Sequence, residues 1–126
     1  MQTIDIVKSF FAGGAIAQFR IVRFGANNTQ VLQASAGADA QIGVCHQPGG
    51  AASGERVDVV VNGLCDVEFG AAVARGALLM ADAQGRAITA TAAAGTNVRT
   101  LGVAMTDAAA AGDIGQIMIS PGSFQG

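Results

Sequence analysis

The chain has 126 residues, enough for one domain with a core of its own and no need of disulfide or metal support. Only 13% of the residues are charged against a usual share of about 25%. The surface is therefore rich in Ala, Gly, Ser, Thr, Asn and Gln, which reflects a composition bias, an interface, or both. A net charge of −2, with Arg20, Arg23, Arg56, Arg75, Arg86 and Arg99 scattered along the chain, argues against direct DNA or RNA binding, which needs a basic patch.

The chain opens with TIDIVKSFFAGGAIAQF, where Ile4, Ile6, Val7, Phe10, Phe11, Ile16 and Phe19 alternate with small and polar residues. Asp5 and the missing basic leader argue against a secretory signal. No run approaches the ~18 apolar residues of a membrane span. Folding in a cytoplasm is the expectation, with Cys45 and Cys65 reduced. The opening segment reads either as a first strand completing the core or as an arm that pairs with another chain. On the second reading Ile4, Ile6, Val7, Phe10 and Phe11 are the expected interface residues.

Short alternating runs follow. QFRIVRFG, RVDVVVNG and DIGQIMIS each read as a strand of about five or six residues. Turn signals separate them at Gly25-Ala26-Asn27-Asn28, Gln47-Pro48-Gly49-Gly50, Asn62-Gly63, Ala83-Gln84-Gly85 and Pro121-Gly122. FGAAVARGALLMADA has some helical period, but Gly70 and Gly76 interrupt it. The pattern predicts a mainly all-β fold: a compact small barrel or sandwich with little helix and an extended N-terminal segment.

The chain also repeats itself. IGVCHQPGGAASGERVDVVVNG (42–63) and LGVAMTDAAAAGDIGQIMISPG (101–122) share an apolar-Gly-Val step, a small-residue loop, a Gly-acid pair and an apolar strand, at offsets of 59 and 58 residues. Upstream, RIVRFGANNTQVLQA matches ALLMADAQGRAITA as strand, turn and strand. Two units of about 58 residues are too small to fold alone, so they are expected to share one core. The expected organisation is one domain over residues 1–126. It divides into an arm or first strand at about 1–18, unit one at about 19–65 and unit two at about 74–122.

Residues for catalysis are scarce. His46 is the only histidine, and its neighbour Cys45 points to the opposite face of a strand. Two Cys and one His without metal-ligand spacing make a weak zinc signal. Asp66 and Glu68 share a face if their segment is extended, and a solvated face is the simpler reading than an acid–base pair. Glu55 and Asp113 occupy matching repeat positions, where an acid after Gly accepts turn N–H bonds. The Gly-rich stretches lack a phosphate-loop pattern, and Lys8 is the only lysine, so the hairpin tip at 82–85 offers no carrier-type Lys. No catalytic residue, cofactor or metal is assigned.

Three segments, SFFAGGAIAQFRIVRFG, RGALLMADAQGRAITA and NVRTLGVAMTDAAAAGDIGQIMI, resemble the capsid cement, or head decoration, proteins of tailed bacteriophages. The likeness covers nearly the whole chain; Cys45, His46 and Cys65 stand outside the pattern. It implies a β-rich, non-enzymatic virion protein on the outer capsid surface. Such a protein binds the major capsid protein, often as a homotrimer, and stabilises the shell by bridging capsomers, with no membrane or direct nucleic-acid partner. The other readings are a small β-barrel ligand-binding module, a non-catalytic enzyme subunit, and a hydrolase using Cys45 or Cys65. The missing Trp and Tyr argue against sugar binding.

Overall fold

A computed structural model describes residues 6–92, 94–95 and 97–125. Among them the alternating runs form nine strands and no helix. The first five are β1 (Ile6–Ala12), β2 (Ile21–Phe24), β3 (Gln30–Gln33), β4 (Gln41–Cys45) and β5 (Arg56–Glu68). The rest are β6 (Leu78–Ala81), β7 (Ala87–Thr89), β8 (Asn97–Ala104) and β9 (Ile114–Gln125). The partly helical stretch FGAAVARGALLMADA is bends, turns and β6 instead.

Hydrogen-bonded neighbours run β1-β3-β2-β4-β5-β9-β8-β6-β7, and β1 pairs with β5 as well. The extra pairing closes β1, β3, β2, β4 and β5 into a five-stranded barrel. Of the two architectures expected, the fold is thus the barrel and not the sandwich. Closure leaves those strands without a free edge.

The sheet order carries the repeat. On either side of the β5–β9 pair stand β3-β2-β4-β5 and β7-β6-β8-β9, each a hairpin followed by two antiparallel strands. Details recur 56 to 58 residues on. The Ile16–Ala51 bridge returns as Val73–Ala108, and the parallel Ala12–Val31 pair returns as Phe69–Ala87. Pairing of Phe11 with Arg56 returns as Glu68 with Ile114. The counterpart of β1 is therefore the C-terminal half of β5. The sequence reading gives residues of about 1–18 as an arm or first strand and unit one from about 19; in the structure β1 pairs with β3 and β5. The match is obscured because Phe10-x-Ala12 has become Val67-x-Phe69.

Two turn signals lie inside strands. Asn62-Gly63 falls within β5 and Pro121-Gly122 within β9. Asn62 pairs with Ile6 of β1, and the next residue, Gly63, pairs with Ile119 of β9. Gly63 has φ of +97°, so β5 bends here from barrel one into unit two without leaving the ladder.

Two apolar clusters result. Barrel one encloses Phe10, Ala12, Val22, Val31, Cys45, Val57 and Val59. A larger cluster runs from Val67, Phe69, Leu79, Leu101 and Ile117 of unit two to Ile21, Val44 and Val60 of unit one. Alternation predicts Val57, Val59 and Val61 on one buried face. Val60, on the other face, is buried too because unit two covers it.

Both units bring backbones into close approach at matching glycines. A Cβ at Gly43 would meet the carbonyl oxygen of Val60, and one at Gly102 that of Met118. Gly43→Ala and Gly102→Ala are each expected to destabilise the protein by about 1–3 kcal/mol, the usual cost of forcing atoms into a packed interior. Chemical denaturation midpoints check this.

Candidate interaction surface

The residues able to do chemistry are engaged in structure or kept apart. Cys45 is buried in barrel one while His46 is exposed beside it. Burial pushes the Cys45 thiol above its ordinary pKa, the Gln47 backbone hydrogen bond opposes this, and the negative charge of Asp58 adds to it. A thiol held neutral is a poor nucleophile. Cys65 is buried in the larger cluster. Among the described residues no three His, Cys, Asp or Glu side chains gather as metal ligands. Glu55 accepts the Ala52 N–H at 2.6 Å, and Asp113 accepts those of Ala109 and Ala110 at 2.9 and 3.1 Å, so both matching acids hold loops.

Asp66 and Glu68 do share a strand face, but they form no acid–base pair. Glu68 binds the Arg20 guanidinium at 3.2 Å and lies 3.9 Å from that of Arg86. Arg86 also binds Asp82 at 3.2 Å, and Arg20 donates to the Gln84 carbonyl at 2.7 Å. This half-buried network ties β2 and β5 to the β6–β7 turn, and so joins the two units.

What remains open is apolar surface, and it falls in three places. The first is β1, where Val7 and Phe11 are about half exposed on the outer side and Ile6, on the other side by alternation, is exposed at the start of the strand. Phe10, expected at an interface with them, is buried in barrel one because strand alternation turns it inward. Ile4 lies outside the described residues. Among these, Ser9 donates to Asp58 at 2.8 Å and Arg56 pairs with Asp58 at 3.4 Å, giving the strip polar side chains as well. The second place is the outer face of unit two, with Leu78, Met105, Ile114 and Met118 exposed. The third is Phe24 at the end of β2. Sequence reasoning missed the last two. Their signal lies in the repeat, where buried Ile21 matches exposed Leu78 and buried Ala81 matches exposed Phe24.

A family model of phage cement proteins matches residues 1–119. The chain belongs to the phage cement protein family. The N base of the head fibre gp8.5 of bacteriophage phi29 has the same fold, with a TM-score of 0.68 over 93% of this chain and 95% of that one, at 16% identity. No curated protein matches the chain in sequence.

Membership makes this a structural protein of the phage capsid, and the cement-family fold here is organised for rigidity and contact. Its acids fasten loops or join the units. Its apolar residues outside the core gather on β1, on unit two and at the β2 end.

Two outcomes follow. Glu68→Gln is expected to lower stability by about 1–2 kcal/mol, less in high salt, as befits a half-buried charge network; denaturant titrations at two ionic strengths check it. Cys45 is expected to resist thiol reagents until the protein is unfolded; labelling under native and denaturing conditions checks it.

Proposed function

We propose that this cement-family protein binds the outer surface of the phage capsid and stabilises the shell by bridging neighbouring capsomers. Its direct partner is the major capsid protein, and it acts as a homotrimer. The observation that carries this reading is the β1 strip. Ile6, Val7 and Phe11 remain exposed on a strand whose backbone is already paired with β3 and β5. The strip therefore offers side chains to a partner while barrel closure protects it from indiscriminate strand addition. Ser9 lies between Val7 and Phe11 on the outer side of β1, and Asp58 and Arg56 stand opposite Ser9 and Phe11 on β5, so the strip mixes apolar and polar side chains as a protein–protein contact does. A sparsely charged surface approaches another with little loss of charge hydration. Individual contacts need only modest strength, because trimers on a symmetric shell act together.

The ligand-binding alternative has less to rest on. Side chains fill the barrel and the larger apolar cluster, and the clefts found among the described residues are open surface features.

Purified protein is expected to co-sediment with expanded capsids of its own phage and to delay their rupture by heat. Failure to bind any shell assembled from that phage's major capsid protein overturns the proposal. Truncating residues 1–12 opens barrel one, so point variants are the sharper probe. Val7→Asp and Phe11→Asp are expected to fold normally by thermal melting yet bind capsids at least roughly tenfold more weakly, the loss given by a central apolar contact.

A further inference from the structure

Unit one buries the outer face of its sheet against unit two. Ile21, Val44 and Val60 stand side by side across β2, β4 and β5 in direct register, with exposures of 0%, 1% and 1%. Their cover is the β6–β7 hairpin together with the start of β8. Ile21 N–H donates to the Gly85 carbonyl at 2.7 Å, and Ala81 N–H donates to the Gln41 side-chain oxygen at 3.0 Å. Arg99 N–H donates to the Gly37 carbonyl at 2.8 Å.

The repeat builds this face a second time. Leu78, Val103 and Met118 take the counterpart positions on β6, β8 and β9, again in direct register. Among the described residues nothing covers them: Leu78 is 47% and Met118 41% exposed, and Val103 is half-buried. Met105 and Ile114 widen the patch where unit one carries the polar His46 and Arg56.

The cover is also built twice. The counterpart of the β6–β7 hairpin is the β2–β3 hairpin, whose turn residues 26–29 are exposed. Its Phe24 is 52% exposed where unit two has the buried Ala81. The chain thus holds one complete interface, together with an uncovered face and an unused cover of the same kind.

We propose that copies of this chain associate head to tail. The Leu78–Val103–Met118 face of one copy packs against the β2–β3 hairpin and Phe24 of the next, as unit one packs against unit two within the chain. The extra apolar residues on unit two fit this role. Association between separate chains must offset lost translational freedom, whereas the units within a chain are already tethered. A contact between unlike surfaces closes into a ring or continues as a filament. A ring of three chains would set six units about one axis. This rests on the homotrimer reading above and names its contact, while remaining separable from capsid binding, since the contact lies between free copies.

The test uses the full chain without capsids. By size-exclusion chromatography with light scattering, the wild type is expected to shift above monomer mass as concentration rises. Met118→Asp and Phe24→Asp alter exposed side chains, and each is expected to keep the wild-type melting profile while self-associating at least roughly tenfold more weakly. An equimolar mixture of the two variants retains one intact face and one intact hairpin, so it is expected to form dimers that neither variant forms alone. A wild type that stays monomeric overturns the proposal. So does a Phe24→Asp variant that assembles normally, the result if the face pairs with itself, or a mixture that forms no dimer. Loss of capsid binding with self-association intact would count against the capsid reading alone.

Discussion

The structure depends on one strand serving both units. β5 closes barrel one through β1 and β4 in its first half, then carries the ladder to β9 in its second. Because the shared element is a continuous hydrogen-bonded strand and not a linker, the units have no hinge at that point. The Arg20–Glu68–Arg86 network and the burial of Ile21, Val44 and Val60 brace the same joint from the other side.

The two units keep one packing plan with different side chains. Barrel one places Phe10 and Ala12 on β1 and Val57 on the facing strand. Unit two has Val67, Phe69 and Gly115 at those positions, and a Cβ at Gly115 would stand 2.9 Å from the Phe69 ring. A large residue has moved along its strand, and its neighbour has shrunk to admit it. Close-packed interiors tolerate such exchanges when total volume is kept. The backbone plan is held more tightly, as Gly43 and Gly102 show by lying at the same close approach in both units.

Much of this was legible in the sequence. Alternation in RVDVVVNG and DIGQIMIS identified strands, the near-constant offset identified the duplication, and Glu55 and Asp113 were assigned to loops from their place after Gly. The misreadings share a cause. Asn62-Gly63 and Pro121-Gly122 carry turn chemistry, yet each continues a strand because a partner strand lies alongside to keep the ladder. Phe10 and Phe11 are adjacent and equally apolar, and only the position of barrel one decides which of them is buried. The faces on unit two and at Phe24 carried no local signal, since Leu78, Met118 and Phe24 look like ordinary strand residues until their buried or covering counterparts are known.

The sequence by itself determined the all-β class and the duplication, because alternation and repeat spacing are properties of the chain read locally. The tertiary structure alone decided that β1 belongs to the repeat, that the sheet closes into a barrel, and that one copy of a repeated face is covered while the other is open. Those outcomes depend on which strand lies beside which, and strand pairing joins residues some 50 positions apart through backbone hydrogen bonds that any side chain permits.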